Sequence, residues 1–441
     1  MLTGDRQLIR DLNIALVTDV IRRHGPISRV GIARETKLGK STVTGIIGQL
    51  LAEGLVREVG SAESSGGRRA VLLQLNAEAR QVLAVKVGPD SVTAALADLN
   101  ASIGARAVEP LRRKPDEIIS IIEAAVRRVV AEAGADWDRI LGLGVVLPGV
   151  VDPETGTSVS SHFLDWANMP LRQLLEERLG IHVFLDNDAN AMTLAEQWFG
   201  SGRGFRNLLG VTLGIGIGAG VIIDGRLYRG AKAGAGEVGH ITIDENGPAC
   251  KCGNRGCLEA LAADGAIVRA AREELERLRA TDQTPEEAPE EAPEEAPVDG
   301  QLLPELCGGN PDVITREMVV NAAKAGDELC RGIIAEAGRH IGTGLATVVN
   351  IINPEAIIIG GEAAIQAGPL LLGPMAEALR ARAFSNLADG LAILPAALGN
   401  DGWLIGAAAE VLEEVFKLPV SQNRLTRSAI AVTSLLRSQE A

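Results

Sequence analysis

Four residues in the middle of the chain have the types and spacing of a metal site. His240 is followed by Cys250, Cys252 and Cys257 in an H-x9-C-x-C-x4-C pattern. One imidazole and three thiolates are a ligand set that Zn²⁺ takes tetrahedrally, and four protein ligands leave no open position for activating water. The pattern predicts a structural zinc site. The alternative is three reduced structural cysteines near an unrelated histidine.

A second group of residues is suited to binding a polyhydroxylated ligand. Asn187 and Asp188 follow an apolar run in LDNDANA, where α/β folds place ligand-contacting groups. Glu237, His240 and Glu259 add two carboxylates and an imidazole, and each carboxylate can accept two hydroxyl hydrogen bonds. Read alone, the DNDAN segment could equally be a turn capped by its own Asx side chains.

A third feature, TLGIGIGAG at residues 212–220, is rich in glycine. A turn of this kind between strands lets backbone N–H groups approach a phosphate. Glycine-rich hairpins are also common without any ligand, so a purely structural role stays open.

The elements that must position these groups form an α/β pattern from about residue 81 onward. Apolar strand segments alternate with helical stretches, which favours an α/β fold of two lobes. The predicted strands are 82–87, 92–96, 141–147, 183–185, 208–213, 220–223 and 356–359, and the clearest helices are 116–133 and 329–350.

The first 78 residues predict a separate module. Leu8, Leu12, Leu16 and Val20 recur at helical spacing, and two further helices and a hairpin follow, the third helix over 40–53. Helix, helix, turn, helix and hairpin is the order of a winged helix-turn-helix, whose third helix enters the major groove. A small helical protein-interaction domain is the alternative. The predicted DNA contacts are Ser28, Arg29, Lys40, Ser41, Thr42, Thr44, Arg68 and Arg69.

Charge is divided unevenly between these parts. The chain of 441 residues has a net charge of −14, which as a whole argues against a nucleic-acid partner. Residues 1–80, however, hold 12 Lys and Arg against 8 Asp and Glu, a net of +4, which leaves −18 for the remainder. Part of that acidity lies in a Pro/Glu repeat within 282–300, which predicts a solvated insertion.

Composition narrows the class of protein further. A hydrophobic content of 46 % excludes wholesale disorder, and 2 % aromatic residues argue against extended stacking surfaces for single-stranded nucleic acid. Five cysteines fit a reducing cytoplasm, and neither a signal-peptide core nor a membrane-spanning run is evident. We therefore expect a cytoplasmic protein without a membrane partner.

Taken together, the motifs resemble the ROK family (repressors, open reading frames and sugar kinases), and in particular its helix-turn-helix repressor branch. The resemblance covers nearly the whole chain. It is carried by ISRVGIARETKLGKSTVTGIIGQLLAEGLVREVG with GGRRAVLLQLN, then LGVVLPGVVD, LDNDANA, AGEVGH with CKCGNRGCLE, and INPEAIIIGGE. The combined glutamate–glycine–histidine and cysteine motif is the most specific of these.

The resemblance implies an actin-like (ribonuclease H-like) ATPase-type fold that binds a sugar in the cleft between two lobes. The implied domains are 1–78, 79–188, 189–410 and a C-terminal helix and tail over 411–441. By the same resemblance, Asn187, Asp188, Glu237, His240 and Glu259 contact sugar hydroxyls, and His240 is shared with the zinc. In kinase members the residue matching Asp188 is the general base. A homodimer or homotetramer is also implied.

Several positions depart from the family's kinase pattern. Lys86 stands where an aspartate that organises magnesium is expected, and Ile215 replaces a threonine of the second phosphate loop. Since phosphoryl transfer depends on metal and positioned donors, these changes predict a protein without kinase activity. Gly45 in the third helix and His162 in SSHFLDW are further departures, which bear on base contacts and on sugar identity.

The sequence therefore predicts a DNA-binding transcriptional regulator, a repressor whose operator affinity changes with a sugar or sugar phosphate. The alternative is an ATP-dependent, glucokinase-like sugar kinase that carries a DNA-binding domain.

Overall fold

The computed structural model describes residues 6–61, 69–111, 115–161, 163–282 and 302–416. Arg68, His162 and the predicted acidic insertion beyond residue 282 lie outside the described residues. The chain divides into two compact units. The second unit runs from Asp188 to Trp403, and the first consists of the residues before and after it, so the chain crosses between units at 187/188 and 403/404. Within the described ranges, no helix is both long enough and apolar enough to cross a membrane.

The amino-terminal module has the predicted order of elements. Ser28 begins the second helix, because its hydroxyl accepts a hydrogen bond from the Gly31 N–H at 3.1 Å. The elements are α1 (Arg6–His24), β1 (Ile27–Ser28), α2 (Arg29–Thr36), α3 (Lys40–Ala52), β2 (Val56–Ser61) and β3 (Val71–Leu75), with sheet order β1-β3-β2.

The buried face of α1 differs from the one that the spacing predicts. Ile14, Val17 and Ile21 are fully buried, whereas Leu12 and Leu16 are only half-buried. The helix is apolar around much of its circumference, so the leucine spacing located the helix but not its orientation.

The first unit continues with a mixed sheet of order β11-β7-β4-β5-β6, in which β4, β7 and β11 are parallel and β5 and β6 antiparallel. A small antiparallel sheet of β8, β9 and β10 accompanies it. The elements are β4 (Gln81–Val87), β5 (Ser91–Asp98), β6 (Ile103–Pro110), α4 (Pro115–Ala133), β7 (Ile140–Leu147), β8 (Val150–Asp152), β9 (Thr157–Ser161), β10 (Trp166–Met169), α5 (Leu171–Leu179) and β11 (Val183–Asn187).

The second unit, residues 188–403, has a sheet of order β14-β13-β12-β15-β16. Its long helices pack on a core that includes Leu209, Val211 and Ile357. The elements are α6 (Asp188–Phe199), β12 (Leu208–Leu213), β13 (Ile217–Ile223), β14 (Arg226–Leu227), α7 (Leu258–Ala262), α8 (Asp264–Asp282), α9 (Leu302–Leu306), α10 (Arg316–Ala325), α11 (Glu328–Ile352), β15 (Ala356–Gly360), α12 (Glu362–Ala367), α13 (Pro369–Arg382), β16 (Ala392–Pro395) and α14 (Gly402–Phe416).

The two sheets repeat one strand pattern. In each, a three-stranded antiparallel meander is extended by two strands parallel to its first strand: β4-β5-β6 with β7 and β11, and β12-β13-β14 with β15 and β16. A duplicated unit of this order confirms the predicted ribonuclease H-like fold.

Helix α14 begins in the second unit, with Gly402 and Trp403, and its remaining residues belong to the first unit. From Leu404 onward it belongs to the first unit, although the expected boundary places residues 404–410 in the second. The reason is close packing on β7. A Cβ at Gly144 would stand 1.9 Å from the Ala407 carbonyl oxygen, so only glycine lets the helix backbone lie this close to the strand.

Candidate metal centre and ligand site

The predicted metal ligands lie together in the second unit. One ligand atom from each of His240, Cys250, Cys252 and Cys257 lies within 4.8 Å of all the others. The Cys252 and Cys257 sulfurs are 3.7 Å apart, and the Cys250 sulfur is 3.7 Å from His240 Nδ1. For zinc–sulfur bonds of about 2.3 Å, the edge of a tetrahedron is about 3.8 Å. Two of the measured distances are close to that edge, and the cluster could hold a metal ion.

The loop that carries the cysteines is folded by short-range backbone contacts. The Cys250 N–H donates to the Asn254 carbonyl at 2.8 Å, and the Gly253 N–H donates back to the Cys250 carbonyl at 3.1 Å. Gly256 has a φ of 61°, and a Cβ there would stand 1.4 Å from the Asp244 carbonyl oxygen. Glycine at this position brings the chain back so that Cys257 meets Cys252.

The thiols of this cluster differ in acidity. Burial raises the pKa of Cys257 to about 12, whereas the backbone N–H of Asn254 lowers the pKa of Cys252. Metal binding requires thiolates. A bound cation would therefore offset the cost of ionising the buried Cys257.

The imidazole of His240 faces two groups. Its Nδ1 is directed to the cysteines, while its Nε2 lies 3.9 Å from Oε2 of Glu237. A neutral imidazole that gives Nδ1 to a metal carries its proton on Nε2. The Nε2–H of the same ring would then lie on the side where the Glu237 carboxylate stands.

Carboxylates gather around Glu237. Burial raises its pKa, the negative charges of Glu259 and Asp188 raise it further, and His240 acts in the opposite direction. Asp188 is the first residue of α6, where the helix dipole favours a negative charge, and its Oδ1 accepts from the Ala189 N–H at 2.9 Å. Four of the five predicted ligand contacts are thus brought together in the second unit.

The fifth predicted contact, Asn187, is the last residue of β11 in the first unit. Its Nδ2 donates to the Gly149 carbonyl at 2.9 Å. The DNDAN segment is therefore a strand end joined directly to a helix, and the Asp186 and Asp188 side chains within it accept hydrogen bonds from the Asn187 and Ala189 N–H groups.

The glycine-rich segment forms a tight turn between β12 and β13. Ile215, at its tip, is 56 % exposed. The Ile217 N–H, which a phosphate loop would direct at its ligand, donates instead to Oε2 of Glu259 at 3.2 Å. A carboxylate at this N–H repels a phosphate.

Lys86 shares a face of the first sheet with a buried carboxylate. It is in register with Val146, which is in register with the fully buried Asp186. Residues aligned across neighbouring strands project to the same side. The ammonium group of Lys86 is therefore on the same face as the buried Asp186 carboxylate.

Among the predicted DNA contacts that the structure describes, Ser28 and Arg29 are half-buried and the others are exposed. The Ser28 hydroxyl is used in the α2 cap, and Arg29 forms an ion pair with Glu58 at 3.2 Å. Exposed positions on α3 are Lys40, Ser41, Thr42 and Thr44, and Arg69 is exposed just before β3.

Two glycines on α3 extend the same exposed face. A Cβ at Gly45 or Gly48 would meet no heavy atom within 4 Å, so space does not require glycine at either position. Each costs an exposed helix about 1 kcal/mol relative to alanine. The sequence analysis singled out Gly45 as a departure, and its openness appears only in the structure.

Sequence reasoning missed Glu196 of α6, which is fully buried. Its carboxylate accepts three backbone N–H groups, from Ser201, Ala397 and Leu398. The available signal was a charged residue in the otherwise uncharged stretch AMTLAEQWF.

The protein combines a winged helix-turn-helix with a duplicated ribonuclease H-like unit, and carboxylates lie beside a histidine–cysteine cluster. This combination of fold and site is that of a regulator with a kinase-like ligand module. The ROK family profile matches residues 82–414, and the chain belongs to the ROK family.

Three similar proteins illustrate the range of that family. The xylose repressor of Caldicellulosiruptor bescii is 32 % identical over 94 % of this chain and 99 % of its own. The crystal structure of a ROK family transcriptional regulator, a homolog of the E. coli MLC protein, is 26 % identical with a TM-score of 0.77, covering 97 % of this chain and 99 % of that one. A ROK family glucokinase from Streptomyces griseus, in complex with glucose and AMPPNP, is 30 % identical with a TM-score of 0.64, covering 75 % and 98 %.

Proposed function

We propose that this protein is a sugar-responsive DNA-binding transcriptional regulator, a repressor of carbohydrate-metabolism genes. The observation that carries the proposal is the grouping of Asp188, Glu259 and His240 around Glu237, in a chain that also has an exposed recognition helix. The likeness to a xylose repressor over nearly the full length of both chains supports it.

In this proposal the carboxylates accept hydrogen bonds from sugar hydroxyls, and Nε2–H of His240 donates one. Asn187, at the end of β11, supplies a fifth contact. Hydrogen bonds to charged acceptors contribute about 1.5–3 kcal/mol each, so a few of them give strong preference for a ligand with the matching hydroxyl pattern. The effector is a sugar or a sugar phosphate.

The residues His240, Cys250, Cys252 and Cys257 would hold a structural Zn²⁺. When bound, the ion would supply a positive charge that stabilises the three thiolates. It would also accept the lone pair of His240 Nδ1. The protein's own contribution is the loop that presents these groups and the Glu237 carboxylate that faces the other ring nitrogen.

The DNA surface in this proposal is the exposed amino-terminal end of α3, with Arg68 and Arg69 reaching the minor groove or phosphates. The α3 residues that would contact base edges and backbone are Lys40, Ser41, Thr42 and Thr44, all exposed. A double-stranded operator with two half-sites requires two such helices, which a homodimer or homotetramer provides.

Control of DNA binding follows from a shift between two conformations. A sugar that binds one of them more tightly changes the population, and with it the arrangement of the paired recognition helices. A change from 1:99 to 99:1 needs about a 10⁴-fold preference for one state, which sets the upper scale of the response.

We further propose that the protein is not a kinase. Lys86 lies in the row of buried Asp186, Ile215 has no hydroxyl for a phosphate oxygen, and Glu259 already accepts from the Ile217 N–H. The alternative, a glucokinase-like enzyme with a DNA-binding module, is favoured by the likeness to the Streptomyces griseus glucokinase and by Asp188 at a general-base position. Glucose-dependent ADP release at about 1–100 per second would establish that alternative.

The test is a titration of the full chain with the DNA upstream of its own gene, at several salt concentrations. It is repeated with D-xylose, D-glucose and their phosphates. We expect specific binding whose affinity falls with salt and changes at least fivefold with one of the sugars. Absent or salt-independent binding would contradict the proposal.

A further inference from the structure

The buried carboxylate of Glu196 joins two segments that are distant in sequence. Its Oε2 accepts from the N–H groups of Ser201 at 2.8 Å and Ala397 at 3.1 Å, and its Oε1 accepts from Leu398 at 2.8 Å. A Cβ at Gly200 would stand 1.9 Å from Oε2, so the turn after α6 is built to leave room for this carboxylate. The group therefore holds residues 397–398 to the end of α6.

The other end of α6 is the proposed sugar site. Asp188 is the first residue of the helix and Glu196 stands eight residues later, about 12 Å along the axis. A helix of this length moves as a rigid element. A shift of Asp188 toward a ligand therefore moves the anchor of residues 397–398.

The anchored segment leads directly into α14. The chain leaves β16, passes Ala397 and Leu398, and enters α14 at Gly402. Beyond the crossing at 403/404, α14 packs on β7 of the first unit, where Ala407 lies over Gly144 and Val411 approaches Gly142. The helix thus begins at the Glu196 anchor and continues along the first sheet.

One residue of α14, Glu413, acts electrostatically on the DNA-reading module. Arg22 of α1 is only 13 % exposed at its side chain and forms an ion pair with Asp19 at 2.8 Å. Burial lowers its pKa to about 10, and the negative charge of Glu413 on α14 acts in the opposite direction. The carboxylate of Glu413 therefore lies in the field of a largely buried guanidinium on α1.

Short connections also fix this module to the first sheet. The Leu99 N–H donates to the Ala77 carbonyl at 3.1 Å, and the Asn76 amide donates to the Gly54 carbonyl at 2.8 Å. Arg139 donates to the Glu78 carbonyl. A displacement of α14 against the first sheet is thus not absorbed by a loose linker.

We propose that α6, the Glu196 carboxylate and α14 form the route by which a sugar at Asp188 changes the position of the DNA-reading module. Glu196 is a positioning residue that contacts neither sugar nor DNA. This inference rests on the proposed function. It is the physical kind of coupling in which rigid elements are joined by a few strong contacts.

The test is the substitution Glu196→Gln in the full chain. The amide offers one acceptor oxygen to three N–H donors, so at least one anchor bond is lost. The matched control is Glu355→Gln, because Glu355 also accepts backbone N–H groups, from Arg206 and Asn207, in the same unit. Operator affinity is measured with and without D-xylose and D-glucose, and sugar affinity is measured by calorimetry.

We expect Glu196→Gln to keep sugar affinity and sugar-free operator affinity within about threefold of the wild type. The ratio of operator affinities with and without sugar should fall at least fivefold toward one. Glu355→Gln should keep the wild-type ratio. A merely structural role for Glu196 would weaken sugar or DNA binding and leave that ratio unchanged.

A second pair of variants tests the end of the proposed route that lies in the DNA-reading module. These variants keep the inference testable if Glu196→Gln does not fold. Arg22 and Arg23 both pair with Asp19, but the Arg22 side chain is 13 % exposed whereas that of Arg23 is 56 % exposed. Arg22→Gln should lose the sugar response and Arg23→Gln should keep it. A wild-type response in both Glu196→Gln and Arg22→Gln overturns the inference. No response in the wild-type protein overturns the proposed function, and this inference with it.

Discussion

The exposed face of α3 and the loop from Glu237 to Glu259 present chemistry in different ways. In the loop, charged groups hold one another: His240 lies between Glu237 and the cysteines, and Glu259 is fixed by the Ile217 N–H. On α3, the Thr44 hydroxyl donates to the carbonyl of Lys40 in its own helix, and Gly45 and Gly48 leave open space. The loop is an interdependent site, whereas the α3 surface is a set of separate contacts. Single changes should therefore have larger effects in the loop than on α3.

The largest effect is expected from removing a metal ligand. Cys252→Ser should abolish bound zinc and lower Tm by about 10 °C, because loss of about 3 kcal/mol shifts Tm by roughly 3 °C per kcal/mol in a domain of this size. Metal analysis and thermal unfolding measure both quantities. Cys307→Ser is the matched control, since Cys307 is buried outside the cluster and donates to the Pro304 carbonyl, as a serine could. Full zinc occupancy in Cys252→Ser would contradict the assignment.

The next effect concerns the sugar. Glu237→Gln should weaken sugar binding about 10- to 100-fold, the equivalent of one hydrogen bond to a charged group. Glu245→Gln, an exposed change in the same loop, should leave binding unchanged. Calorimetry with D-xylose and D-glucose measures the difference. Equal affinity in the two variants would remove Glu237 from the site.

The same variant has an expected effect of opposite sign on stability. Because the folded pKa of Glu237 is raised, protonation stabilises the folded protein, fully below the ordinary glutamate pKa near 4.5 and less as the pH rises through the folded value. At pH 7 the carboxylate therefore costs stability. Glu237→Gln should raise Tm at pH 7 and lose that advantage at pH 4; a lower Tm at pH 7 would contradict this cause.

A smaller effect, again of opposite signs, is expected on α3. Gly45→Ala should raise the free energy of unfolding by about 1 kcal/mol through helix propensity. It should also weaken operator binding severalfold if the open face approaches the DNA closely. Gly332→Ala is the control, because Gly332 is an exposed helical glycine of α11 with equally open space. It should give the same stabilisation with unchanged operator affinity, and unchanged binding in both variants would argue against close approach at Gly45.

The smallest effect is expected from a single phosphate contact. Lys40→Ala should weaken binding to all DNA sequences to a similar degree and reduce the slope of log affinity against log salt by about one. Lys324→Ala, an exposed lysine of α10, should change neither quantity. Fluorescence anisotropy across salt separates the two variants.

Much of this arrangement could be predicted from local sequence patterns. The apolar runs located β4, β7, β12 and β15, and the cysteine spacing located the metal cluster. Strand β6 was not indicated, because its alternate side chains are exposed and its apolar residues are sparse. Nor was the role of Glu196, whose partners Ala397 and Leu398 lie about 200 positions away and offer only backbone groups. Every residue except proline has a backbone N–H, so a sequence pattern cannot show which of them a buried carboxylate will bind.

The loop from Glu237 to Glu259 is the proposed sugar site, and the exposed face of α3 is the proposed DNA site. The central claim is that sugar binding at the first controls DNA binding at the second. The most direct measurement is the affinity of the full chain for DNA upstream of its own gene, across salt, with and without D-xylose, D-glucose and their phosphates. We predict specific, salt-dependent binding that changes at least fivefold with one of these sugars. Operator affinity that is the same with every sugar, together with glucose-dependent ADP release, would contradict the account and identify a kinase.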